Sequence, residues 1–142
     1  MPNRVELKQL AKSRLREAKA LFDCGLYDGS YYLAGYVVEL SLKARICRML
    51  DTDRYPESGK LSQSFKTHNL DDLLLLAGLE RKFEQAKIAN PNLLTNWSLV
   101  TEWTEQFRYE PVGSSPRQRA QTTIAALEDK NDGIFTWIKK YW

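Results

Sequence analysis

Four charged side chains stand where the helical pattern calls for apolar ones. An α-helix turns about 100° per residue. On that projection Glu39 and Lys43 fall inside an apolar arc that includes Tyr32, Tyr36, Val37 and Leu42. They lie four apart with the glutamate first, the favourable order for an ion pair. On the preceding helix Arg14 falls between the directions of Leu7, Leu10 and Ala18, and on a later one Arg108 falls in line with Trp97, Thr101 and Thr104. An unpaired buried charge is expensive, so such groups must find partners or line a wet cleft. Two readings follow. In one, Glu39 neutralises Arg14 or Lys43 where helices cross. In the other, the four charges line a polar groove that holds a phosphate or another anion.

His68 is the single histidine, in the run Phe65-Lys66-Thr67-His68-Asn69-Leu70-Asp71. It is also the side chain that titrates unaided near neutral pH. Thr67 or Asn69 is placed to cap the helix that follows. His68 itself reads either as a hydrogen-bonding or packing residue at that helix start, or as a catalytic or phosphate-contacting group. One histidine and two isolated cysteines, Cys24 and Cys47, offer no metal-ligand spacing and no disulfide framework. Both thiols are expected to be buried, and no cofactor or metal is implied.

Helical periodicity supplies the elements that must position these groups. Helix one is expected from about Val5 to Cys24 and stops at Gly25. Tyr27 to Ser30 form a turn with a cap, and helix two covers Ser30 to Leu50. Its apolar circumference, broken by a wet stripe of Ser41, Arg45 and Arg48, makes it the central helix. Asp51 to Thr67 reads as a loop around Pro56 and Gly59. Helix three runs from His68 to Gly78, helix four from Leu79 to Ala89 and helix five from Asn92 to Phe107. After a turn over Arg108 to Ser114, Ser115 caps a sixth helix with Pro116 in its first turn. That helix reaches Trp142, with a bend at Asn131-Asp132-Gly133. The expectation is an all-α fold, a bundle of five or six helices forming a single domain over 1–142. Trp97, Trp103, Trp137 and Trp142 read as core or interface packing.

The 142 residues are 43% hydrophobic and 27% charged, values of a globular protein rather than a disordered tail. No run approaches the roughly 20 apolar residues of a membrane helix, and the N-terminus lacks the apolar core of a signal peptide. A cytoplasmic protein with no membrane partner is expected. The net charge of +3 permits contact with nucleic acid without demanding it.

The segments Ala11 to Ala18 and Tyr27 to Ala44 closely resemble the HEPN domain family, whose name stands for higher eukaryotes and prokaryotes nucleotide-binding. The run Ala34-Gly35-Tyr36-Val37-Val38-Glu39-Leu40-Ser41-Leu42-Lys43-Ala44 is its most specific part. Thr67 to Leu74 and the Arg108-Tyr109 pair fit in order and spacing. The resemblance implies a small up-and-down helical bundle that dimerises, often beside a minimal nucleotidyltransferase in toxin–antitoxin pairs. Many members are metal-independent RNA endonucleases marked by an arginine, four to six residues, then a histidine. Here positions 113 to 115, downstream of Arg108, are Gly, Ser and Ser, and positions 61 to 63, upstream of His68, are Leu, Ser and Gln. The nuclease spacing is missing.

Three functions are therefore carried forward. The first is a non-catalytic module that contacts a nucleotide, RNA or a minimal nucleotidyltransferase partner through Arg14, Glu39, Lys43, Arg108 and Tyr109. The second is an RNA endonuclease toxin with a dispersed site of His68, Arg108, Glu39 and Lys43. The third is a dimerisation scaffold whose charges are structural. Trp137, Tyr141 and Trp142 crowd the last stretch of sequence, and with the apolar central helix they lead to the expectation of a two-fold homodimer. His68 and Arg108 are not expected to form a ready catalytic pair within one chain.

Overall fold

The computed structural model describes residues 1–60 and 62–142. Among these, seven α-helices and two short 3-10 turns form an all-α bundle, with one isolated antiparallel bridge between Asn3 and Arg54. Helix α1, Arg4–Asp23, opens on a capping box. The Asn3 side chain accepts from the Glu6 N–H, and the Glu6 carboxylate accepts from the Asn3 N–H. It closes at Gly25, whose φ of 75° suits a residue without a Cβ. The N–H groups of Gly25 and Leu26 return to the carbonyls of Phe22 and Leu21, completing a Schellman turn.

Helix α2, Tyr27–Met49, follows at once, so the expected turn at Tyr27 to Ser30 is helical instead. Ser30 is buried and does not cap. Its hydroxyl donates to the Ala18 carbonyl at 2.7 Å, joining the two helices. Asp28 occupies the first turn of α2, and its carboxylate accepts the N–H groups of Gly113 (2.6 Å) and Ser115 (2.8 Å). Those two bonds hold the Asp28 carboxyl below the usual range. The central position of α2 is as expected, but its wet stripe is narrower. Ser41 is buried with its hydroxyl returned to the Val37 carbonyl, leaving Arg45 and Arg48. Cys47 is buried, whereas Cys24 is exposed because α1 ends there.

Leu61, within the expected Asp51 to Thr67 loop, lies outside the described residues. Around it, Ser62–Phe65 form a 3-10 turn, and the buried Tyr55 donates its hydroxyl to the Phe65 carbonyl at 2.8 Å. Helix α3, Leu70–Leu76, starts two residues after His68 because Asn69 is the cap, accepting from the Asp72 N–H. Helix α4 spans Glu80–Ala89.

The largest departure concerns helix five. Helix α5, Pro91–Val100, stops seven residues early, Thr104 is extended, and a 3-10 turn covers Glu105–Tyr109. The break lets Trp103 turn back onto α2. The ring is 2% exposed and donates its indole N–H to the Tyr32 carbonyl at 3.1 Å. Gly35 admits it, since a Cβ there would lie 2.0 Å from the ring. Helix six also divides. Helix α6, Arg117–Glu128, has Pro116 rather than the Ser115 hydroxyl at its cap, because the buried Ser115 is held through its N–H by Asp28. Asp129 then collects the N–H groups of Asn131 and Asp132 on its side chain, and helix α7 covers Ile134–Ile138. Trp97 and Trp137 pack on Phe83, and Trp142 packs on Phe135. The aromatics expected to crowd a partner are thus covered largely by this chain.

Candidate functional site

Of the four charges read as inward, two are. Glu39 and Lys43 are 2% and 4% exposed on α2. The Lys43 ammonium donates to Glu39 Oε1 at 2.9 Å and lies 5.1 Å from the centre of the Tyr55 ring. His68 supplies a second nitrogen to the same oxygen, Nδ1 to Oε1 at 2.9 Å across 29 residues. Glu39 Oε2 is buried without a hydrogen-bond partner among the described residues. Such a carboxylate is costly to desolvate, and the two nitrogens on one oxygen offset that cost.

Arg14 does not join this centre. Its side chain is one-third exposed and pairs with Glu17 at 2.5 Å, a reach of one turn along the surface of α1. Arg108 is also corrected. The inward direction assumed a helix running to Phe107, and the break after Val100 leaves Arg108 exposed, its guanidinium 4.9 Å from the Tyr109 ring. Tyr109 is 73% exposed.

His68 sits in the Thr67-His68-Asn69 corner before α3. The Thr67 hydroxyl accepts the Asn69 N–H there, and Leu70, Leu73 and Leu74 anchor α3 in the core. The ring is therefore free of capping and turns toward Glu39. Its side chain is 45% exposed and lines an open cleft of about 450 Å³ with Lys66, Asp71, Trp103, Thr104 and Glu105. With Nδ1–H given to the carboxylate, the ring orientation and tautomer are fixed. Nε2 is then an acceptor on the neutral ring and a donor on the protonated one.

The flank beyond Trp103 is phenolic. The hydroxyls of Tyr32 and Tyr36 lie 3.1 Å apart, and the Tyr36 ring packs edge-on to Trp103 at 5.0 Å. Burial, then the Tyr32 hydrogen bond and the Tyr32 and Glu39 charges, push the Tyr36 phenol far up, with Arg108 opposing. Tyr36 is a neutral hydrogen-bonding group, not a base. A hydrogen bond from Gln106 holds the Glu105 carboxyl down, helped to a lesser degree by the charges of His68 and Arg108. The charges of His68 and Arg108 both favour the ionised Glu105, yet the two side chains share no hydrogen bond among the described residues.

The sequence reading missed Tyr55, Trp103 and Glu105 as parts of this site. Tyr55, an aromatic set between Arg54 and Pro56 in a polar loop, was the available signal for the first. No group of three or more His, Cys, Asp or Glu placed to hold a metal occurs among the described residues. No helix among them is long and apolar enough to cross a membrane.

The family model described as HEPN domain matches residues 5–129. The chain belongs to the HEPN domain family, and its all-α bundle is the fold of that family. No curated protein and no solved structure matches it.

Proposed function

We propose that this HEPN protein binds a phosphate-bearing ligand, a nucleotide or an RNA segment, in the cleft at His68 without cleaving it. The orientation of His68 by a buried carboxylate carries the reading. Glu39 and Lys43 act through that histidine, because the Lys43 ammonium is already taken by Glu39 and covered by Tyr55. When the ring is protonated, its second N–H is a charge-assisted donor for a phosphate oxygen. Lys66 at the rim supplies a further cation, and Arg108 with Tyr109 offers a guanidinium and a ring beyond the cleft edge. Resemblance to the family supports a minimal nucleotidyltransferase as partner in a toxin–antitoxin pair, and a homodimer as the working assembly.

Calorimetric titration with a ribonucleoside triphosphate tests the binding. Affinity that falls at least tenfold in His68→Ala and in Glu39→Gln supports it, and equal affinity in all three proteins overturns it. Metal-independent RNA cleavage is the second reading, favoured by the same oriented imidazole and by the Arg108 charge, which is felt with that of His68 at Glu105. Such cleavage needs a group titrating near neutrality and a cation for the phosphate. Incubating RNA with the protein in a chelator decides between the two. Intact RNA supports binding alone, and cleavage lost in both His68→Ala and Arg108→Ala establishes the nuclease.

A further inference from the structure

We infer that the end of the α1–α2 hairpin against which Trp142 docks is a second binding surface, for a single-stranded nucleic acid held by its phosphates on Lys8, Lys12 and Arg48 and by base contact with the Trp142 ring. Arg4, Lys8 and Lys12 recur every fourth residue on α1, so they share one face with a rise of about 6 Å between neighbours. The antiparallel α2 brings Arg48 and Arg45 alongside. Burial, followed by the fields of Arg4, Arg48 and Lys12, pushes the Lys8 ammonium below its ordinary range. Burial and then Arg48 do the same to Arg45.

No carboxylate side chain pairs with any of these five cations among the described residues. Arg45 and Arg48 reach main-chain oxygens instead, both donating to Tyr141 at 3.1 Å and Arg48 also to Trp142 at 3.2 Å. Asp51 and Asp53 share a shallow hollow with Arg4 and Arg48 but make no ion pair with them. Arg4 Nε is buried without a hydrogen-bond partner among the described residues. This end of the molecule therefore carries five cations that no side-chain ion pair engages.

The ring is what favours a nucleic acid over another polyanion. The Lys8 and Lys12 ammoniums lie 5.4 and 5.9 Å from the centre of the half-buried Trp142 ring, which Phe135 holds edge-on at 5.5 Å. A strand laid here gives its phosphates to the ammoniums and a base to the indole, the two contacts that single strands use. Carboxylates of an acidic peptide would leave the ring unused. Val5, Met49 and Leu50 are exposed at this same end, which makes an anionic membrane the competing occupant. The surface is independent of the His68 cleft, and His68→Ala separates the two.

The test is fluorescence anisotropy with a labelled mixed-sequence RNA of about 15 nucleotides, within the footprint range of single-strand binders. Three neutralised phosphates predict roughly a 20-fold loss of affinity between about 50 and 200 mM KCl. Lys8→Glu with Lys12→Glu should weaken binding at least tenfold, and Lys8→Arg with Lys12→Arg should keep it. Trp142→Ala should cost about tenfold at either salt concentration. Made in a His68→Ala background, which removes the proposed cleft contact, the charge reversal should cause the same loss. Binding indifferent to the charge reversal overturns the proposal. So does capture of the protein by phosphatidylserine vesicles with no affinity for the oligonucleotide. Melting temperatures of the variants confirm that each is folded.

Discussion

At the Glu39 centre one carboxylate oxygen serves two nitrogens inside the core, and one of those nitrogens belongs to a ring that lines a cleft. At the far end of the same helix, Arg45 and Arg48 join three cations of α1 with no carboxylate side chain to answer them. Both clusters are built from long charged side chains at helical spacing. The first is dry and balanced, so its charges hold one another and fix the geometry of the histidine. The second is wet and unbalanced, so its charges repel and await something from outside. Helical spacing alone does not say which of the two a pair of charges will be. Burial and the sign of the neighbours decide it.

Removing the acid from the balanced cluster should have the largest effect. Glu39→Ala leaves the Lys43 ammonium buried and unanswered, which should cost about 3–5 kcal/mol in chemical denaturation. Replacing both partners, Glu39→Leu with Lys43→Met, should recover most of that loss, since a packed apolar pair is close to neutral by comparison. A double variant no more stable than Glu39→Ala would mean that the pair is not the reason for the loss. Next in size is Gly35→Ala. The added methyl must displace Trp103, and overpacking of this kind costs about 1–3 kcal/mol. The same variant should weaken ligand binding at His68, because Trp103 is a wall of that cleft.

The unbalanced cluster should behave in the opposite sense. Lys12→Ala should change stability by no more than about 0.5 kcal/mol, as expected for a solvent-exposed charge. Lys8→Met should raise the melting temperature slightly at neutral pH. A lysine whose folded pKa is depressed opposes folding in full below that value, and the penalty fades as pH rises toward the unfolded one and is gone above it. Added salt should shrink the Lys8→Met gain while leaving the Glu39→Ala loss nearly untouched, since buried pairs are little screened.

The smallest expected effect lies at Asp28, whose carboxylate fastens the segment before α6 to the start of α2. Its folded pKa is depressed, so its contribution is present above the ordinary carboxylate value of about 4 and is lost as pH falls through the folded value. Melting curves of the protein and of Asp28→Asn should therefore differ at pH 6 and converge toward pH 2. Curves equally spaced throughout would show that the clamp acts by something other than charge.

What was legible in the sequence follows from how local each feature is. The stop at Gly25, the central standing of α2 and the Glu39–Lys43 pair all rest on residues within one or two turns of each other. Periodicity reads such features directly. The His68–Glu39 bond spans 29 residues and joins a corner to a helix face, which no spacing rule connects. Arg14 and Arg108 were misplaced for different reasons. Arg14 lies on the flank that a wheel suggests but is long enough to turn outward to Glu17, whereas Arg108 was projected onto a helix that ends at Val100. That end is set by Trp103 seeking Gly35, a tertiary demand invisible to helical propensity. The Asp28 clamp was hidden in the same way, because its two partners lie 85 and 87 residues away.

The seat of Trp103 on Gly35 has a consequence for how this chain can change over generations. The two positions form a lock. A side chain gained at 35 while the indole remains in place must push that ring aside, and a smaller ring at 103 leaves a hollow that position 35 can grow to fill. Lineages that carry alanine or serine at 35 should therefore show a smaller side chain than tryptophan at 103.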